Sequence, residues 1–246
     1  MKNIKRVIEY DGTNYLGWQR QPQGPTIQQS IEEALGKITG EDAFIIGSGR
    51  TDSGVHALAQ VANFTTAFKM TPREFQRALN STLPKDIVII GAEQTVLEFH
   101  SQYDAVTKTY LYRILNRTYP TALDKNRVWH VREGLDVGKM RLAAEPLLGR
   151  HDFRGFALAD RTVKTTLRNV LRTRLQRSGN GLIEFEIEAD GFLKRMVRLI
   201  VGTLVNVGKC KIPHEFVRDT LRTGNKTHFV RSAPPQGLFL KEVRYG

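Results

Sequence analysis

Residues 47–57 read G-S-G-R-T-D-S-G-V-H-A, a glycine-flanked carboxylate, Asp52, with the guanidinium of Arg50 two residues before it. Apolar runs at 44–46 and 58–64 bracket the segment. A carboxylate with an ordinary pKa of roughly 3.9 is ionised at neutral pH, and a neighbouring guanidinium would hold it so while leaving one oxygen to attack or to take a proton. The same letters also spell an Asp-Ser-Gly surface turn, because Asp and Gly occupy turns for conformational reasons alone. Spacing by itself favours the turn.

Other chemistry-bearing patterns fail on inspection. Gly12 and Gly17 have the spacing of a phosphate-binding loop, but Trp18 stands where the lysine belongs. Gly47-Ser48-Gly49 lacks the third glycine of a dinucleotide fingerprint. The six histidines form no close pair of metal-ligand spacing, and Cys210 is the lone cysteine. No cofactor and no metal are expected. His151-Asp152 has the look of a dyad but is expected to be a structural turn.

The elements that must position Asp52 follow from periodicity and caps. Strands are predicted at 4–10, 43–46, 58–64 and 87–92, and helices at 27–38 and 72–79, giving the order β-α-β-β-α-β. Thr26 with Gln29 and Thr71 with Glu74 both have capping-box spacing, the second with Pro72 at the first helical position. Beyond residue 103 the pattern restarts loosely: strand 107–115, helix 137–148, a hairpin over 167–188, helices 193–207 and 215–222, and a last strand 238–243. The expected architecture is α+β, two abutting split-βαβ (ferredoxin-like) halves, 1–103 and 104–246, with a mixed, mainly antiparallel sheet, flanking helices and a central cleft. In the hairpin, Leu167, Leu171 and Leu175 are expected on one face and Arg168, Arg172 and Arg174 on the other, opposite Glu184, Glu186 and Glu188 across the turn at 178–181. Those arginines are therefore discounted as ligands for a polyanion.

Composition narrows the partner. The 246 residues carry 37 Lys+Arg against 25 Asp+Glu, a net charge of +12 spread along the chain, which favours nucleic acid. One cysteine allows no internal disulfide, the first nine residues carry charges where a signal peptide has an apolar core, and no run approaches the roughly 18 apolar residues of a membrane span. A cytoplasmic protein with no membrane partner is expected.

The segment 47–57 resembles the G-R-T-D-x-G-V-H-A signature of the tRNA pseudouridine synthase A (TruA) family. Similar blocks follow in family order at 10–21 (Y-D-G-T-N-Y-L-G-W-Q-R-Q), 108–114 (K-T-Y-L-Y-R-I), 151–156 (H-D-F-R-G-F), 192–204 (F-L-K-R-M-V-R-L-I-V-G-T-L) and 233–240 (A-P-P-Q-G-L-F-L). They span the chain nearly end to end. The resemblance implies a pseudouridine synthase fold and an isomerase that converts uridine to pseudouridine at positions 38, 39 and 40 of the tRNA anticodon stem-loop, acting as a homodimer without a cofactor. It implies Asp52 as the catalytic carboxylate, Tyr110 as the active-site tyrosine that stacks on uracil, Arg198 as the arginine lining the site, Leu238 as the apolar residue against the base, and Arg50 as the partner of Asp52 and a possible contact to the RNA backbone. Each has a plainer reading. Tyr110 and Tyr112 share a strand face, Arg198 lies beside an apolar helix stripe, and Leu238 has the periodicity of a core residue. Gln102 departs from the family, which commonly has arginine there.

Isomerisation breaks the N1–C1′ bond and joins C1′ to C5 of the same base, with no net redox change or hydrolysis. It needs a carboxylate near the ribose, a surface for the loose uracil, a base for the C5 proton, and exclusion of water. Whether Asp52 attacks C1′, adds to C6 or takes the 2′ proton is left open by the sequence. Two rival classes remain: a non-catalytic basic RNA-binding protein, in which a carboxylate in a basic cleft would only repel phosphate, and a metal-dependent nuclease, for which the needed carboxylate cluster is not evident. A paralogous synthase with another target position is a third.

Overall fold

The computed structural model describes residues 1–160 and 163–246. Along the chain run β1 (Lys2–Tyr10), α1 (Ile27–Thr39), β2 (Ile46–Gly47), β3 (His56–Thr66), α2 (Pro72–Thr82), β4 (Ile87–Thr95), β5 (Ala105–Asn116) and β6 (Trp129–Val131). There follow α3 (Val137–Ala144), β7 (Gly149–Asp152), β8 (Leu167–Arg177), β9 (Leu182–Ala189), α4 (Met196–Gly208), α5 (Phe216–Thr223) and β10 (Leu238–Tyr245). The chain divides into two compact units, Met1–Val106 with Phe239–Gly246, and Thr107–Leu238. The class is α+β and strand pairing is mainly antiparallel, as expected.

In the first unit the strand order is β4-β1-β3-β10. β1 pairs antiparallel with β3 and β4, while β10 joins β3 in parallel through Phe239 opposite His56 and Leu240 opposite Ala57. Ile4 and Ile8 of β1, Ile27, Ile31 and Leu35 of α1, and Phe75 and Leu79 of α2 are buried together in its core. The α2 start forms the full capping box: Thr71 accepts from Glu74 N, and Glu74 accepts from Thr71 N at 2.7 Å. At α1 only half the expected box exists. Thr26 caps Gln29 N, but the Gln29 side chain turns along the helix to Glu33. The strand expected at 43–46 shrinks to Ile46–Gly47. Its reason is visible: Glu32 Oε1 accepts from Ile45 N and Gln28 Nε2 donates to Ile45 O, so α1 side chains satisfy a backbone that would otherwise seek a strand partner.

One core position is costly. Arg6 on β1 is 2% exposed, with its guanidinium carbon 3.9 Å from the Phe64 ring centroid and 5.3 Å from that of Phe75. Its Nε and Nη2 meet no hydrogen-bond partner among the described residues. Burial lowers its pKa to about 9.

In the second unit the order is β5-β9-β8-β7, all antiparallel, with β6 beside β5 in parallel. The expected 137–148 helix ends at Ala144 and tightens into a 3-10 turn over Glu145–Leu147, since Pro146 has no N–H to continue the ladder. Helix α4 starts at Met196, three residues later than expected, because Arg195 adopts φ 60° and breaks the helical path. The short strands β6 and β7 are additional to the elements that periodicity predicts. The hairpin departs from simple alternation at a register shift between Val170 and Arg172. Val170 and Leu175 are buried, while Leu167 and Leu171 are exposed, so the expected leucine face is broken by one bulged residue.

Candidate active site

The loop from β2 to β3 is pinned at its base and presented at its tip. Ser48 N donates to Val61 O at 2.7 Å, Ser48 Oγ bonds Gln60 Oε1 at 2.6 Å, and Gln60 Nε2 donates to Gly49 O at 2.9 Å. At the tip Val55 N donates to Asp52 O at 3.1 Å, closing a four-residue turn whose third residue, Gly54, has φ 74°. Asp52 heads that turn and is half-buried. The preceding Thr51 is buried, its hydroxyl 2.8 Å from the Tyr10 hydroxyl. The Tyr10 phenol is itself pushed up by burial, although its hydrogen bonds to Thr51 and Gln60 oppose this.

Segment 10–21 is the cradle of this loop. Trp18 N donates to Thr51 O at 3.1 Å, Gly54 N to Tyr15 O at 3.3 Å, and Ser53 Oγ to Tyr15 O at 3.2 Å. Gly12 N donates to Nδ1 of His56, whose ring stacks on Phe239 with centroids 4.8 Å apart. The two glycines are obligatory: a Cβ on Gly12 would stand 2.0 Å from Val55 O, and one on Gly17, at φ 97°, 2.4 Å from Thr51 O. The glycine spacing that failed as a phosphate loop thus marks backbone pressed against the Asp52 turn. Arg50 is exposed, and its Nε donates to Gln19 Oε1 at 3.0 Å.

The remaining candidates lie in the second unit. Tyr110 on β5 is 8% exposed and meets Phe192 edge-on, centroids 4.9 Å apart at 81°. Tyr112, two residues on, is fully buried and its hydroxyl donates to Pro234 O at 2.7 Å. Burial raises its pKa, partly offset by the positive charge of Arg198. Arg198, on the first turn of α4, is buried; its Nε donates to Ala233 O at 2.8 Å, and Ala233 N returns a bond to Arg198 O at 2.9 Å. Gly237 presses on the Tyr112 ring, where a Cβ would approach to 2.7 Å, and Leu238 follows it, buried. Tyr112, Arg198 and residues 233–238 thus form one knot, with Tyr110 beside it on β5. Phe192, 82 positions from Tyr110, gave no signal in the sequence beyond its place in a family block.

Charge partners sort the arginines. Arg172 lies 3.4 Å from Glu188 and 4.0 Å from Glu186, and Arg113 of β5 is 3.0 Å from Glu184, so the glutamates of β9 meet cations from both neighbouring strands. Arg168 differs from the expectation. The register shift removes it from that row, and its Nη1 donates instead to Thr165 O and Leu167 O. His151 and Asp152 lie in strand β7 and not in a turn. His151 Nε2 is 2.7 Å from Leu148 O, while Asp152 accepts from Thr166 Oγ1 and Arg154 N. Among the described residues no cluster of three or more His, Cys, Asp or Glu could hold a metal.

Comparison with known proteins fits this arrangement. The family model described as tRNA pseudouridine synthase matches residues 7–104 and 143–246. The chain is 49% identical over 245 residues to tRNA pseudouridine synthase A 2 of Clostridium perfringens, covering all of both chains. It is 44% identical over 245 residues to tRNA pseudouridine synthase A of a Thermoanaerobacter species, again covering both completely, and 42% identical to tRNA pseudouridine synthase A 2 of Clostridium tetani, covering 99% of each.

Proposed function

The chain belongs to the tRNA pseudouridine synthase family and is an isomerase that forms pseudouridine in tRNA; from that premise we propose that its targets are uridines 38, 39 and 40 of the anticodon stem-loop and that Asp52 carries the reaction. One observation supports the assignment above the rest. In a chain of net charge +12, a half-buried carboxylate heads a turn that the 10–21 segment holds by backbone bonds, inside a G-R-T-D-S-G-V-H-A motif. A protein that only binds RNA gains nothing from fixing a negative charge so firmly.

The target atoms are stacked within the RNA, so the nucleotide must leave its stack at a cost of a few kcal/mol before Asp52 can act at the ribose or base. Tyr110 offers the ring that holds the freed uracil, and its hydroxyl is the candidate relay for the C5 proton, taking that proton up as its own passes on to solvent or to a carboxylate. Arg198, anchored through Ala233 O, supplies positive charge in the same unit as Tyr110. Leu238 supplies an apolar contact to the base, and exposed Arg50 a contact to the RNA backbone. No helix among the described residues is long and apolar enough to cross a membrane. A cytoplasmic homodimer completes the reading. The test is release of tritium from C5-labelled uridine in tRNA with the modified positions mapped: label must leave at 38, 39 or 40, and release elsewhere or none at all overturns the assignment.

A further inference from the structure

The Tyr110 face of β5 leads outward into a second cationic feature. Lys108 precedes Tyr110 by two residues, so strand alternation puts both side chains on one face. Lys108 pairs in register with Ala189 at the end of β9, from which the chain passes through Asp190 and Gly191 to Phe192, the ring that meets Tyr110 edge-on. Arg168 of β8 reaches the same place: its Nε lies 3.4 Å from where a Cβ on Gly191 would stand. Two backbone carbonyls, Thr165 O and Leu167 O, hold this guanidinium without cancelling its charge. Burial, and secondarily the charge of Arg168, bring the Lys108 ammonium down to about 8. Two like charges so placed repel, and an anion set between them would relieve both.

We propose that Lys108, opposite Ala189 on the Tyr110 face, and Arg168, whose Nε stands over Gly191, clamp one backbone phosphate of the RNA strand next to the nucleotide that Tyr110 receives. The inference rests on the reading of Tyr110 as the base-holding ring. A flipped base remains tied to phosphates on either side, so a fixed cation pair near that ring gives the strand a register as well as affinity. Gly191, lacking a side chain, leaves the approach open.

The test measures binding of an unmodified anticodon stem-loop RNA across a salt series, in Asp52→Asn protein so that the RNA stays unchanged. Adding Lys108→Gln or Arg168→Gln should each weaken binding about tenfold. Each should also flatten the dependence of log K on log salt by roughly 0.7 to 0.9, the signature of one lost phosphate contact. The double variant should lose less than the product of the two, because both cations serve one phosphate. Lys108→Arg should keep the affinity, and Arg172→Gln, whose cation belongs to Glu188, should leave the slope alone. Unchanged affinity and slope in the Lys108 and Arg168 variants would overturn the clamp, as would losses that simply multiply. Should Lys108→Gln fail to fold, Arg168→Gln and Lys108→Arg carry the same decision. Failure of the underlying reading looks different: Tyr110→Ala would bind and turn over like the parent, whatever the salt slopes show.

Discussion

The Asp52 loop and the Tyr112–Arg198 knot are built by opposite means. The loop is set by backbone: Trp18 N, Gly54 N and Val55 N make its bonds, and Gly12 and Gly17 are there for what they lack. The knot is set by side chains, a buried phenol on Pro234 O and a buried guanidinium on Ala233 O. A backbone cradle fixes the position of a carboxylate without burying it, which suits a group that must meet substrate. A side-chain knot fixes a surface, which suits a wall. Substitutions should therefore damage geometry in the first region and stability in the second, with Tyr110 the exception under the proposal that its ring receives the base.

That division can be broken at Tyr110. Tyr110→Phe keeps the ring and its contact with Phe192, so RNA binding should persist while single-turnover chemistry slows by about 10² to 10⁴. Parent-like turnover would leave only the stacking role. Gly17→Ala should come next. It adds a Cβ 2.4 Å from Thr51 O at a positive φ, so we expect a loss of about 2 to 5 kcal/mol in thermal or denaturant unfolding and about 10² in turnover from a displaced Asp52. Full activity in Gly17→Ala would show that the cradle does not set the carboxylate.

Tyr112→Phe should invert that pattern. It leaves Pro234 O without its donor, at about 1 to 3 kcal/mol of stability, while the chemical step of the folded enzyme is nearly unchanged. A large fall in turnover without a stability change would move Tyr112 from wall to working residue. The smallest effect should come from Arg6→Met. Losing the stack on Phe64 is offset by removing two unsatisfied nitrogens from the core, so unfolding experiments should find it neutral to about 2 kcal/mol more stable. Destabilisation beyond 2 kcal/mol would mean that the guanidinium has favourable interactions that outweigh its burial.

What the sequence made legible follows the range of the interactions. The Thr71-Pro72-Glu74 start of α2 is local, and all of it forms. The strand predicted at 43–46 does not form in full because its backbone is claimed by Glu32 and Gln28, which periodicity within the segment cannot register. Leu171 looked like a core residue until a register shift exposed it, and the same shift separated Arg168 from the glutamate row. Gly12 and Gly17 were conspicuous, but their purpose lies some forty residues away in Thr51 and Val55. The proposal for Asp52 rests on its family motif and not on its spacing, since a carboxylate in a glycine-rich turn is ordinary until its cradle is seen.

The central claim is that Asp52 performs chemistry and does not merely shape the loop. Purified Asp52→Asn protein, which keeps the turn residue's size and the backbone bonds around it, can be assayed for both tRNA affinity and pseudouridine formation. Affinity should be retained or slightly increased, because one repulsive charge is gone, while isomerisation should fall to background. Appreciable pseudouridine formation by that variant would contradict the assignment.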